Sequence, residues 1–247
     1  MSSAPDPVSA LLRHERLIVG LGIALLVGVS WWFLVSGAGL DMGIGMSGAT
    51  MAPPPFAALV LMWWLMMVAM MLPSAAPAIL LYARVRQMRR GDAVVAQTWV
   101  FLAGYITMWL AFSLAAAAAQ HVLVGGAMAL VDARALGALP VLVGAYQISP
   151  LKSACLRQCR SPAQFISSHW RPGTYGTFRL GVSHGLYCVG CCWMLMALLF
   201  VGGIMNFAWI AALTLVVGIE KLVPGGEWIG KAVGIALIGG GAASLLA

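Results

Sequence analysis

Within His184-Gly-Leu-Tyr-Cys188-Val-Gly-Cys191-Cys192-Trp193, three thiols and an imidazole fall inside nine residues of an apolar stretch long enough to cross a bilayer. Polar and ligating groups at such depth are costly and are usually retained for function. Thiolate and imidazole together favour soft or borderline metals, Cu(I) first and Zn(II) second. On a helix turning about 100° per residue, with His184 at zero, Cys188 lies at about 40° and Cys191 at about −20°. Cys192 falls at about 80° and Met196 at about 120°. His184, Cys188 and Cys191 thus share a face, while Cys192 and Met196 continue a stripe that winds toward a neighbour. The alternative is packing alone, since buried free cysteine also serves as a small hydrophobe.

A second pair, Cys155 and Cys159, lies in Ser149-Pro-Leu-Lys-Ser-Ala-Cys-Leu-Arg-Gln-Cys-Arg160. On a helix the i, i+4 spacing puts both sulfurs on one side. Lys152, Arg157 and Arg160 surround them, and nearby cations raise the thiolate fraction. The expected compartment is reducing, which disfavours a structural disulfide. Cys155 and Cys159 together with His184 and Cys188 form a candidate four-ligand site; the alternative is two loop cysteines with no shared role. Met62, Met66 and Met70 recur at i, i+4 and i+8, with Met67 and Met71 as a further pair and Trp63 and Trp64 alongside. Met42, Met46 and Met51 precede them. Thioethers ligate Cu(I) and bind Zn(II) poorly, so the order suits a soft-metal path; a methionine stripe also serves as adaptable packing.

The elements that must position these groups are membrane helices. The chain has 247 residues, 62% hydrophobic and only 9% charged, with mean hydropathy +0.96; a soluble domain carries roughly 25% charged residues. Apolar runs of about 20 residues predict an all-α bundle of seven spans, at 17–38, 56–81, 97–120, 133–149, 180–201, 204–220 and 229–246. The fourth is short and holds Pro140. Thirteen of the fourteen Lys and Arg residues fall on one side if the N-terminus is cytoplasmic, with Arg134 on the other, as the positive-inside rule requires. The first apolar stretch lacks a small-residue cleavage site and is expected to be a span. The chain is expected to form one integral-membrane domain, with 150–179 as a cytoplasmic segment and Gly202-Gly203 as a tight turn. Glu220-Lys221 is expected at the interface, Tyr146, Gln147 and Asn206 between helices, and Asp41, His121 and Asp132 outside. Pro73 and Pro77 are expected to kink the second span. The net charge of +7 is spread over short loops and implies no nucleic-acid partner. No P-loop, dinucleotide fingerprint or Ser-His-Asp arrangement is present.

Three segments carry a resemblance: Ala69-Met-Met-Leu-Pro-Ser74, Tyr146-Gln147 through Pro150-Leu-Lys152 to Cys155-Leu-x-x-Cys159, and Cys188-x-Gly-Cys191-Cys192-Trp193. In these the chain resembles a bacterial family of predicted metal-binding integral membrane proteins, a domain of unknown function. The resemblance implies a multi-pass protein of the bacterial inner membrane. Together the residues favour a non-enzymatic role handling a soft metal, with no sign of ATP use and with Cu(I) preferred over Zn(II), in transport, delivery or metalloenzyme assembly. The candidate ligands are His184, Cys188, Cys191, Cys192, Cys155 and Cys159, with Met62, Met66 and Met70 as a soft path. The alternatives are a membrane thiol oxidoreductase using Cys188/Cys191 or Cys191/Cys192, and a non-catalytic subunit or assembly factor. Expected partners are the lipid bilayer, the metal ion, and a membrane protein or a second copy of the chain.

Overall fold

The computed structural model describes residues 7–36, 54–89, 93–124 and 132–246; Asp41, Met42, Met46, Met51 and Arg90 lie outside them. The described residues form helices and no strand: α1 Pro7–Ser36, α2 Phe56–Met88, α3 Val94–Val124, α4 Ala133–Gln147, α5 Pro150–Arg160, α6 Pro162–His169, α7 Gly173–Ala197, the single turn α8 Leu199–Gly202, α9 Phe207–Leu222 and α10 Gly226–Leu246. Five stretches are long and apolar enough to cross a membrane: Glu15–Ser36, Phe56–Met88, Val94–Val122, Gly173–Gly202 and Gly226–Leu246. The other two expected spans are helical but short, α4 with 15 residues and α9 with 16. At 1.5 Å per residue they reach about 22–24 Å, below the roughly 30 Å of a hydrocarbon core.

Local signals set the helix ends. The Asp132 carboxylate accepts from the Ala135 amide at 2.8 Å and starts α4, so this residue is a cap. Ser149 caps α5 by accepting from the Lys152 amide at 3.2 Å, with Pro150 in the first turn, where a missing N–H costs nothing. Asn206, expected to bond between helices, instead accepts from the Trp209 amide at 3.3 Å and starts α9. The turn before it needs Gly203, whose φ is +91°, a region glycine enters without strain. Pro73 and Pro77 lie inside an unbroken α2.

Glycines let the helices meet backbone to backbone. A Cβ on Gly104 or Gly181 would overlap main-chain atoms of the partner helix, which seats α3 tightly on α7. Gly137 and Gly144 of α4 face Gly241 and Gly234 of α10 in antiparallel order; a Cβ on Gly241 would lie 2.6 Å from the Gly137 carbonyl oxygen. Close approach of this kind gains dispersion energy between the packed backbones.

The segment expected as a cytoplasmic loop packs along α7 instead. Its contacts run antiparallel to that helix: Cys155 against Gly190, Cys159 beside Cys191, Phe165 against Tyr187 and His184. Trp170 then stacks on Tyr82, whose hydroxyl meets Thr177. The strap formed by α5 and α6 so meets α7 from Cys191 to His184, about 10 Å at helical rise. It can do so because Leu156, Phe165 and Ile166 are buried against the bundle.

Candidate metal centre

Each cysteine of α7 meets a different neighbour. The Cys188 sulfur accepts from the Lys221 ammonium at 2.9 Å and lies 3.1 Å from the Tyr105 hydroxyl. The Cys191 sulfur is 4.0 Å from that of Cys159 on α5. The Cys192 thiol lies 3.8 Å from the Met71 sulfur and donates to the Cys188 carbonyl at 2.9 Å. All three cysteines are buried, and all five in the chain are free thiols. The nearby sulfurs of Cys188 and Cys191, together with burial, push the Cys159 thiol well above its ordinary range.

His184 is 2% exposed and lies among the rings of Phe165, Tyr105 and Phe101, at centroid distances of 5.2, 5.8 and 6.0 Å. Its Nδ1 has no hydrogen-bond partner among the described residues, an arrangement that buried imidazole nitrogens seldom keep. Cys155 reaches α7 by another route. Its sulfur lies where a side chain on Gly190 would start, 2.8 Å from an added Cβ, and burial raises its thiol pKa. Met62, Met66 and Met70 are buried in the core of α2; the thioether beside a thiol is that of Met71, one residue further along. Among the described residues no three His, Cys, Asp or Glu side chains converge as a ready ligand set.

A polar cluster locks the strap at this level. Lys152 donates to Glu220 Oε2 and to Gln147 Oε1, each at 2.6 Å, and Gln147 also donates to Glu220 Oε1. The Arg160 guanidinium donates to the carbonyls of Glu220 and Val223 at 2.8 and 2.9 Å. The Tyr146 hydroxyl donates to the Gly190 carbonyl. Glu220 and Lys221, expected at an interface, are 1% and 7% exposed. Being adjacent on a helix they diverge, one toward α5 and the other toward the sulfurs. The signal available in sequence was two charges closing an otherwise apolar run; Tyr105 carried none.

Sulfur bonds to a metal such as zinc are about 2.3 Å, so a single ion touching two sulfurs spans at most about 4.6 Å. The Cys159–Cys191 and Cys192–Met71 separations both fall within that reach. Paired thiols and a thioether are the donor types that suit Cu(I). Against this geometry, a family model described as PpoB2, copper chaperone, matches residues 60–244.

The chain belongs to the PpoB2 copper chaperone family.

The match runs from the first turn of α2 to the last turn of α10 and takes in all five cysteines, His184, Met71 and Lys221. The helix α1 and the methionines at 42, 46 and 51 precede it. No curated protein and no solved structure matches the chain.

Proposed function

We propose that this protein is a multi-pass copper chaperone of the bacterial inner membrane, which takes up Cu(I) on sulfur ligands and passes it to a metalloprotein. The observation that carries the reading is the 4.0 Å approach of Cys159, on the α5 strap, to Cys191 on α7. Cys188, Cys192, Met71 and the unpartnered His184 Nδ1 supply further donors around it, and Cys155 stands at the edge. Met62, Met66 and Met70 line the approach along α2. Pairs of sulfurs, not a closed four-ligand cage, suit a carrier: soft ligands hold Cu(I) selectively, and an unsaturated ion can be attacked by an acceptor's thiol. Zn(II), which favours four ligands in structural sites, fits less well. A partner within the membrane, or a second copy of the chain, is compatible with the same role.

The proposed topology has seven crossings, five by full-length helices and two by the short α4 and α9, with the N-terminus in the cytoplasm. Burial of Lys152 and Lys221 removes them from the surface charges, and eleven of the remaining twelve Lys and Arg side chains still favour that orientation. The strap then closes the cytoplasmic half of α7.

Copper analysis of detergent-purified protein reconstituted with Cu(I) under anaerobic reducing conditions tests the function. Near-stoichiometric copper is expected for the wild type, with most of it lost in Cys159→Ser and in Cys191→Ser. Wild-type protein that stays metal-free with excess Cu(I) sinks the proposal.

A further inference from the structure

We propose that Lys221 sets the charge class of the metal, fitting the sulfur site to a monovalent soft ion and rejecting divalent ones. This rests on the copper reading above and adds the residue that makes the choice. The Lys221 side chain is buried, with its ammonium 2.9 Å from the Cys188 sulfur, 4.0 Å from the Met71 sulfur and 3.4 Å from the Ser74 hydroxyl. The nearest acid in the chain, Glu220, spends its charge on Lys152. Among the described residues the lysine is therefore answered by sulfur and hydroxyl groups, not by a carboxylate.

Buried charge is tolerated when it sums close to zero. Metal-bound cysteines are thiolates, and among the described residues no three His, Cys, Asp or Glu side chains converge, so an ion held by two thiolates such as Cys159 and Cys191 meets a charge of −2. The ammonium brings that to −1. A monovalent ion then completes a neutral cluster, while a divalent ion leaves an uncompensated positive charge where the dielectric constant is low. Removing the lysine shifts the balance by one unit and makes the divalent ion the neutral choice. Lys221 reaches this cluster through Cys188 and Met71, beside the sulfur pairs, without needing to touch the metal.

Competition between Ag(I), a redox-stable monovalent soft ion, and Cd(II), its divalent counterpart, reads this directly on purified full-length protein. The wild type should retain Ag(I) and exclude Cd(II). Lys221→Met should move the Ag(I)/Cd(II) preference toward Cd(II) by about tenfold or more, and Lys221→Arg should keep the wild-type preference. An unchanged ratio in Lys221→Met overturns the proposal, as does a wild type that takes up both ions equally, a result available even if the variants fail to fold. Failure of the wild type to bind Cu(I) or Ag(I) at all would instead refute the copper-carrier reading.

Discussion

Gly190 is the smallest device in the site and separates the roles of two cysteines. Because it has no side chain, the Cys155 sulfur settles against α7 there, while Cys159, one turn along α5, turns toward Cys191. Cys155→Ser should therefore retain most of the bound copper, in contrast to Cys159→Ser, when both are analysed for metal content side by side. Gly190→Val should push α5 outward and lower stability by about 1–3 kcal/mol, the usual cost of overpacking, read as a fall in the thermal midpoint in detergent. The face shared by His184, Cys188 and Cys191 could be drawn from helical angles alone. Its partners could not, because Lys221 lies 33 residues away from Cys188 and Tyr105 lies 83 away. Spacing along one helix says where a side chain starts, and nothing about which neighbour comes to meet it. Met70 and Met71 show the same limit: the i, i+4 row through Met70 is the more regular pattern, yet Met71 is the residue beside Cys192.

Between elements, two contacts hold the strap and the short helices together. The glycine face of α4 on α10 has no room for side chains. Gly144→Leu should cost about 1–3 kcal/mol or more through overpacking and lower the thermal midpoint, with Gly218→Leu as a control at a position with open space. The Lys152–Glu220 pair is the other contact. Glu220→Ala strands a buried lysine and should destabilise by about 3–5 kcal/mol. Replacing both partners, as Lys152→Met with Glu220→Met, should recover much of that loss, since an apolar pair avoids the desolvation of two ions. Each apolar stretch seen in the sequence forms a helix, so element type was fully legible. Length was less so. The apolar run at 133–149 ends in Tyr146 and Gln147, which belong to the polar cluster and not to a lipid-facing turn. The run 150–179 looked like a soluble loop because it carries charges; the partner that neutralises Lys152 is 68 residues away and leaves no local trace.

For the molecule as a whole, 9% charged residues pointed to membrane helices, and five helices are long and apolar enough to cross a membrane. Reporter fusions after residues 90, 128, 175, 204 and 224 test the arrangement; with seven crossings and a cytoplasmic N-terminus, the fusions at 128 and 204 should report the outside and the others the inside. What hydropathy could not foresee is that the proposed metal site draws on α2, α3, α5, α7 and α9 together. That dispersal bears on how the protein is made. Lys152 leaves the ribosome 68 residues ahead of the carboxylate that neutralises it, a delay of roughly 3–14 s at about 5–20 residues/s. Until Glu220 arrives, docking α5 would bury an unpaired ammonium, so the strap waits outside the bundle. A translation product arrested before α9 should therefore hold Cys159 away from Cys191, with Cys192 and Met71 the sulfur pair already made.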